Sequence, residues 1–336
     1  MKKERVVEVL KFIKSKKEVS ITQIIEYFGK VVPKITINRD LNFLLLHRKI
    51  EKIGDSVATR YKAAFDPDEY FSVKSDERVL KTETYNLEIW DVLKDVFSAQ
   101  ELSFIESLNR QYQQNRKNIS PVILKKELER LTIELSWKSC EIEGNTYTLL
   151  DTERLIKQQQ EAEGKKREDA VMILNHKKTL DFIFGNPGYF SEVSIEKIEE
   201  THRLLTIDLD IKPGIRKDRV GIVGTRYKPL KLEVHIREEL FKLVNAVNKC
   251  CNPFEKALLI VLMISYIQPF EDGNKRTARI LGDAVLLGYD YCPLSYRSVS
   301  SIEYKKAMIL FYEQNDYRYF KQLFTEQFKH AVENYF

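Results

Sequence analysis

From residue 85 onward, apolar side chains recur at helical spacing almost without interruption, and this periodicity constrains the fold more than any other feature of the sequence. The segments with this spacing are 87–97, 102–108, 124–137, 169–184, 195–204, 236–247, 253–266 and 277–287. Such apolar stripes predict amphipathic or buried helices. The one clear break is 212–232, where glycines and prolines punctuate short β-type runs and predict a hairpin. We therefore predict a mainly α-helical domain that contains one β-hairpin.

The composition excludes several classes of protein. Hydrophobic residues make up 43% and charged residues 31% of the 336 residues, which is typical of a globular chain rather than a disordered one. No uncharged apolar run approaches the roughly 18 residues that a membrane span needs, and the first residues do not lead into a signal peptide. The cysteines (Cys140, Cys250, Cys251 and Cys292) form no CxxC pair. We expect no disulfide scaffold, no cysteine zinc site, no membrane partner and a cytoplasmic location.

Residues 1–62 form a small basic segment. They hold fifteen lysines and arginines against seven aspartates and glutamates, whereas the whole chain holds 55 and 50. Three helical patterns precede two β-type runs joined by a Gly54-Asp55-Ser56 turn, and these elements lie near 5–13, 21–28, 34–46, 50–53 and 58–62. The order resembles the winged helix-turn-helix of bacterial transcription regulators, a small α+β domain.

That resemblance implies a DNA partner. The third helix would enter the major groove with Thr36, Asn38 and Arg39, while Arg60 of the wing would approach phosphates. The excess positive charge of the segment favours a polyanion. The alternative interpretation is a winged helix used for protein docking or dimerisation, with its charges merely solvated.

The segment 268–279, with the sequence Q-P-F-E-D-G-N-K-R-T-A-R, carries the strongest chemical signal. A loop that runs into a helix amino terminus favours anions, because free N–H groups converge there with the positive end of the helix dipole. Gly273 allows a close backbone approach, and Arg276 and Arg279 share one helical face. Asp272 offers an oxygen ligand suited to Mg²⁺. A phosphate site is the favoured interpretation, and a solvated, charged helix start is the alternative.

These residues resemble the signature of the Fic (Fido) family, H-x-F-x-[D/E]-G-N-[G/K]-R-x-x-R, at eleven of its twelve positions. The resemblance implies an α-helical domain that transfers AMP from ATP to a hydroxyl side chain of a target protein, the chain itself included. It further implies that Phe270 anchors the loop and that Asp272 holds Mg²⁺. The residues implied to bind the nucleotide are Gly273, Asn274, Lys275, Arg276 and Arg279.

The first signature position departs from the family, because Gln268 stands where the family places its catalytic histidine. A histidine there takes the proton of the attacking hydroxyl, a role suited to a group that titrates near neutrality. A glutamine amide can orient a hydroxyl but cannot accept its proton. Loss of a general base typically costs about 10²–10⁴-fold in rate, so we expect strongly reduced transfer. His202 is a minor alternative as the base.

Lys275 is a milder departure, toward a G-N-K-R form of the signature. Related death-on-curing toxins carry such a lysine and transfer the terminal phosphate, with the nucleotide bound in reverse. Phosphotransfer is therefore a minor alternative to AMP transfer.

A second motif lies upstream, in Ser139, Glu143 and Gly144. Ser139 and Glu143 are four apart and share a helical face, and Gly144 ends the helix. Beside a Fic signature this resembles the inhibitory motif [S/T]-x-x-x-E-[G/N], which implies that Glu143 pairs with Arg279 and keeps the γ-phosphate from its productive position. The plain alternative is a helix with an acidic end and a glycine stop.

The break at 213–230 resembles the family's flap, a β-hairpin whose open edge pairs with an extended target segment. The residues implied to face the target are Gly221, Ile222, Val223 and Gly224. A purely structural hairpin is the alternative. Tyr304 is expected either to stack on adenine or to lie in the core.

The resulting prediction is a winged helix at 1–62, a linker at 63–84 and a Fic domain at 85–336, with the inhibitory motif at 139–144. Two functions compete. One is an autoinhibited protein adenylyltransferase that binds ATP–Mg²⁺, and the other is a catalytically impaired, nucleotide-sensing regulator that binds DNA. The expected partners are ATP, a protein with a hydroxyl side chain, DNA and a second copy of the chain in a homodimer.

Overall fold

The computed structural model describes residues 2–16, 18–29, 31–47, 49–54 and 58–336. The chain divides into two compact units, Met1–Arg78 and Val79–Phe336. Each unit is built around its own apolar core. None of the helices in the described ranges combines the length and the apolar character that crossing a membrane requires.

The first unit contains helices α1 (Lys2–Lys14), α2 (Ile21–Tyr27) and α3 (Lys34–Leu46), then strands β1 (Ile50–Ile53) and β2 (Arg60–Ala63). The strands pair antiparallel, with Ile50 opposite Ala63 and Ile53 opposite Arg60. Of the predicted turn between them, Gly54 is described and Asp55 and Ser56 lie outside the described residues. Ser20 and Gln23 close a capping box that fixes the start of α2.

The predicted linker at 63–84 is partly wrong, because it contains a helix, α4 (Pro67–Ser72). In the sequence, Pro67 indicated the end of regular secondary structure. At the first turn of a helix, however, a proline costs no intrahelical hydrogen bond. Asp66 caps this helix through the backbone N–H groups of Asp68 and Glu69. The division between the two units falls after Arg78, within the predicted linker.

The second unit is helical, which confirms the prediction of a mainly α fold. Its helices are α5 (Ile89–Val92), α6 (Ala99–Asn118), α7 (Pro121–Ile142), α8 (Leu149–Gln158), α9 (Arg167–Gly185), α10 (Ile195–Leu205), α11 (Glu233–Lys249), α12 (Pro253–Ile267), α13 (Asn274–Gly288), α14 (Ser301–Gln314) and α15 (Arg318–Tyr335), with a 3₁₀ turn at Pro187–Phe190.

Helix α12 lies at the centre of this unit and is buried on all sides from Lys256 to Ile267. It is apolar around its whole circumference, as a central helix must be. Helices α11, α13 and α14 pack around it. At Gly282 of α13 a Cβ atom would lie 2.9 Å from Val261 Cγ2, so the absence of a side chain lets α13 approach α12 closely. This pair of helices holds the 268–273 loop between them.

The predicted β-hairpin at 213–230 is wrong, since no residue of that segment lies in a paired strand. Two of its backbone N–H groups bond to other parts of the unit. The Arg216 N–H donates to Pro269 O at 2.9 Å, and the Lys228 N–H donates to Glu83 O at 2.7 Å. The segment is therefore an irregular loop whose two ends, at Arg216 and Lys228, are hydrogen-bonded to other parts of the unit.

Candidate functional site

A cleft of about 370 Å³ opens beside the 268–273 loop. It is lined by residues from the end of α7, the 213–230 segment, the loop itself and α14, among them Glu143, Ile222, Gln268, Asp272, Lys275 and Met308. The carboxylates of Glu143 and Asp272 and the amine of Lys275 lie on the side of α13, whereas the lining from α14 is apolar or aromatic apart from Lys305. The cleft thus offers a polar and an apolar part to one ligand.

Phe270 anchors the loop, as predicted from its position in the signature. Its side chain is fully buried and stacks on the His202 ring, with centroids 3.7 Å apart and planes at 8°. The side-chain amide of Asn274 donates to Phe270 O and accepts from Phe270 N, both at 2.8 Å. Asn274, predicted to line the anion site, therefore uses its side chain to shape the loop and can offer only its backbone N–H.

Gly273 ends the loop in a left-handed conformation, with φ of 78°. Side chains at such a φ are strained, so glycine suits this position. It precedes the first turn of α13, whose N–H groups have no acceptor within the helix, and Gly273 has no side chain to cap them. The amino end of α13 therefore presents free donors toward the loop.

Arg276 and Arg279 are both almost completely buried, with exposed fractions of 1% and 0%. Arg276 Nη2 lies 3.6 Å from Asp272 Oδ2, and Arg276 Nη1 has no hydrogen-bond partner among the described residues. Burying a guanidinium without full pairing is costly, so the fold holds positive charge here at the expense of stability.

Arg279 is held by the end of α7. Its Nη2 donates to Glu143 Oε1 at 2.9 Å and to Ser139 O at 2.7 Å, and its Nε donates to Ser139 Oγ at 2.9 Å. The second carboxylate oxygen of Glu143 accepts from Lys275 Nζ at 3.1 Å. Ser139 and Glu143 of the upstream motif thus bond to the first two turns of α13, and Gly144 follows Glu143 with φ of 101°.

The charge state of Glu143 follows from these contacts. Burial alone would raise its pKa, but the positive charges of Arg279 and Lys275 outweigh this effect and lower that pKa to about 2. Glu143 is therefore ionised at neutral pH and occupies the cleft as an anion.

Gln268 lines the cleft from the carboxyl end of α12, in a left-handed conformation with φ of 52°. Its side-chain amide donates to Ser265 O at 2.6 Å. The position that starts the signature therefore carries no group that can accept a proton.

Asp272 lies at the mouth of the cleft, with 73% of its side chain exposed. Across the described ranges, no group of three His, Cys, Asp or Glu side chains is placed to hold a metal ion. One carboxylate beside a phosphate site is nevertheless the usual setting for Mg²⁺, which takes its other ligands from the substrate and from water. Asp272 fits that pattern.

The Fic/DOC family model matches residues 192–286, which include α10, α12, the loop and nearly all of α13. These residues form a Fic/DOC domain. The protein adenylyltransferase Fic of Drosophila willistoni is 28% identical over 162 residues, which are 47% of this chain and 32% of the relative. The protein adenylyltransferase Fic of Nematostella vectensis is 28% identical over 184 residues, which are 52% of this chain and 42% of the relative. The chain thus matches less than half the length of these relatives.

Two solved structures share the fold of the Fic/DOC domain and its surroundings. Fic-1 from C. elegans (residues 134–508) superposes with a TM-score of 0.62 at 19% identity, over 74% of this chain and 72% of that one. A Fic domain containing signaling protein from Bacteroides thetaiotaomicron superposes with a TM-score of 0.57 at 20% identity. The superposition covers 69% of this chain and 94% of that one. At such identities the likeness shows the fold alone.

The segment predicted as a flap, which lies within the matched range, and Tyr304, which lies beyond it, border the Fic/DOC cleft in different ways. Val220, Gly221, Ile222 and Val223 line it, and the Val223 side chain is 98% exposed. Gly224 lies against Ile309 of α14. Tyr304 is buried, and Arg279 lies over its ring with Cζ 5.2 Å from the centroid. Tyr304 therefore supports Arg279 from the core.

Two buried histidines support the site: His202, considered from the sequence only as a minor alternative for the base, and His176, which the sequence did not single out. The Nε2 atom of His202, on α10, lies 2.9 Å from Asp272 O. Burial is the main reason that the pKa of His202 is lowered to about 4. His176 of α9 lies 2.8 Å through Nε2 from Ser139 Oγ. Because Arg279 Nε can only donate, Ser139 Oγ accepts from it, and the direction of its bond with His176 is set by the histidine tautomer. Both histidines shape the loop and the α7 end, and neither lines the cleft.

In the first unit, the residues predicted to contact DNA are unevenly exposed. Arg39 and Arg60 are exposed, whereas Thr36 and Asn38 are half-buried. Helix α3 also exposes three large apolar side chains, Ile35, Phe43 and Leu46. The exposed arginines suit DNA binding, and the exposed apolar side chains suit protein docking.

Proposed function

We propose that the second unit binds ATP with Mg²⁺ in the Fic/DOC cleft and is a protein adenylyltransferase by descent, inhibited by Glu143 and slowed by Gln268. The observation that carries this proposal is the pair of buried guanidiniums at the amino end of α13. Arg279 is paired with Glu143, and Arg276 keeps an unpartnered Nη1. A triphosphate would supply the negative charge that this end of α13 lacks.

The proposed reaction joins AMP to a protein hydroxyl. The hydroxyl oxygen attacks the α-phosphorus of ATP, the bond from that phosphorus to the β-bridging oxygen breaks, and pyrophosphate leaves. The hydroxyl proton must pass to a base. Gln268 can hold the hydroxyl by a hydrogen bond but leaves this proton to water, and the expected cost is about 10²–10⁴-fold in rate.

Asp272 would hold Mg²⁺, which neutralises charge on the phosphates when it is bound. The N–H groups at the start of α13 and Lys275 would bind phosphate oxygens, and the apolar side of the cleft near Met308 would take the base. Residues Val220–Val223 would lie beside an extended target segment. The γ-phosphate would compete with the Glu143 carboxylate for Arg279.

A second function is favoured by Gln268 and by the basic first unit. In it the Fic/DOC domain senses ATP without transfer, and the first unit binds DNA in the manner of a winged helix through Arg39 and Arg60. Phosphotransfer, suggested by Lys275, is a third and weaker candidate, since the Lys275 amine pairs with Glu143. In each case we place the protein in the cytoplasm.

Calorimetry with ATP–Mg²⁺ and with AMP tests the binding proposal. Arg276→Ala should weaken ATP binding by about 10–100-fold, since a charge-assisted hydrogen bond contributes about 1.5–3 kcal/mol. Arg219→Ala, which removes an exposed arginine of the 213–230 segment, is the matched control and should leave affinity unchanged. Equal affinity in wild type and Arg276→Ala would mean that the nucleotide binds elsewhere.

A further inference from the structure

Arg216 makes an unusual set of contacts between the 213–230 segment and the Fic/DOC loop. Its side chain is buried, with 2% exposed, and each of its three nitrogens donates to a backbone carbonyl. Nε donates to Gln268 O at 2.6 Å, Nη1 to Asp218 O at 2.8 Å and Nη2 to Leu230 O at 2.6 Å. We propose that Arg216 is a positioning residue that couples both ends of the segment to the backbone of residue 268.

The chemistry of these contacts requires an arginine. Among the described residues no carboxylate lies within ion-pair distance of Arg216, so its buried charge is balanced by carbonyl dipoles alone. Burial lowers its pKa, yet a guanidinium stays protonated. A lysine has one nitrogen and no planar fork, so it cannot reach three carbonyls that lie in different directions.

The contacts hold the residue at the catalytic position in its left-handed conformation. Two consecutive carbonyls of the loop bond to Arg216, since its side chain takes Gln268 O and its backbone N–H takes Pro269 O at 2.9 Å. The direction of the 268 side chain depends on that backbone. Gln268 ends α12 with φ of 52° and its N–H bonded to Ile264 O, and the two bonds from Arg216 fix the carbonyls that follow this left-handed turn.

The same guanidinium also sets where the cleft wall lies. Asp218 stands before the lining residues 220–223, and Leu230 stands after them. Both carbonyls converge on one planar group, so these lining residues and residue 268 are held at a fixed separation. Arg216 therefore positions the protein substrate against the reacting group, and this role rests on the function proposed above.

Arg216→Lys in the full-length chain tests the proposal, with Arg219→Lys as the matched control in the same segment. Hydrogen–deuterium exchange should be at least about tenfold faster in Arg216→Lys within 216–230 and 268–272, and unchanged in α6. In the Gln268→His, Glu143→Gln background, Arg216→Lys should lower AMP transfer by about 10²-fold while ATP affinity changes less than about threefold.

Arg216→Ala adds a rescue experiment, because millimolar methylguanidinium should partly restore slow exchange in the cavity that this variant leaves. If Arg216→Lys exchanges and transfers like Arg219→Lys, Arg216 has no positioning role. If the background variant transfers no label at all, the proposed transferase function fails, and the exchange measurement still decides whether Arg216 couples the two segments.

Discussion

Arg279 and Glu143 form an ion pair of 2.9 Å at the amino end of α13, although 136 residues separate them in the chain. The arginine is fully buried, and the glutamate lies on the cleft. Lys275 bonds to the other oxygen of the same carboxylate. An arginine proposed to bind the outer phosphates of ATP is thus already paired, and under that proposal ATP would have to displace Glu143 to reach it.

Glu143→Gln should strengthen ATP binding by about tenfold or more, since the amide keeps the shape of the side chain but removes the competing charge. Calorimetry measures the change. Glu141→Gln neutralises a carboxylate of the same helix that pairs with Lys138 at 2.8 Å, and it should leave affinity unchanged. An inhibitory role for Glu143 is excluded if the two variants bind ATP equally.

Lys275 is expected to act in two opposed ways, by holding Glu143 and by binding phosphate. Lys275→Ala should therefore weaken ATP binding more in the Glu143→Gln background than in wild type. A double-mutant cycle on ATP affinity should give a coupling of about 1 kcal/mol. Additive effects within about 0.3 kcal/mol would show that Lys275 does not restrain Glu143.

The Glu143 contacts also predict a pH dependence of stability. Its pKa is lowered from 4.5 to about 2 in the folded protein, so its stabilisation is fully present above pH 4.5 and is lost as the pH falls toward 2. The free energy of unfolding should therefore fall more steeply with acid in wild type than in Glu143→Gln, by a total on the order of 3 kcal/mol. Urea titrations between pH 5 and pH 2 measure this difference. Parallel curves would contradict an ion-paired Glu143.

For the first unit, Arg39→Ala should weaken binding of the full-length chain to a random-sequence DNA duplex and reduce the salt slope by about one. Fluorescence anisotropy at several salt concentrations measures both. Phe43→Ser together with Leu46→Ser changes exposed apolar groups of the same helix and should leave DNA binding intact. If wild type and Arg39→Ala show the same weak binding, the apolar face of α3 and protein docking become the better interpretation.

Much of the fold is local in origin and was predictable. The apolar spacing at 34–46 corresponds to α3, and the uniformly apolar run at 253–266 corresponds to central helix α12. The residues of the 268–279 segment lie together in the loop and the start of α13, with the Phe270 side chain buried. Each of these features depends on residues that are neighbours in sequence.

Long-range contacts account for what the sequence did not show. The 213–230 segment has the glycines of a hairpin, but Arg216 bonds to carbonyls that include one 52 residues away, at Gln268. His202 reaches the loop across 70 residues, and His176 reaches Ser139 across 37. Periodicity and spacing carry no information about such pairs. Of these residues only His202 was considered from the sequence, as an alternative base, because the chain holds only five histidines.

The most direct test of the account is label transfer from α-³²P-ATP to the protein itself in the variant Gln268→His, Glu143→Gln. The account predicts strong α-label, because the base is restored and the competing carboxylate is gone, whereas wild type should be slower by about 10²–10⁴-fold. Arg276→Ala added to this variant should abolish the label, and parallel γ-³²P-ATP separates phosphotransfer from AMP transfer. A variant that binds ATP but takes up neither label would contradict the transferase account and favour the nucleotide-sensing regulator.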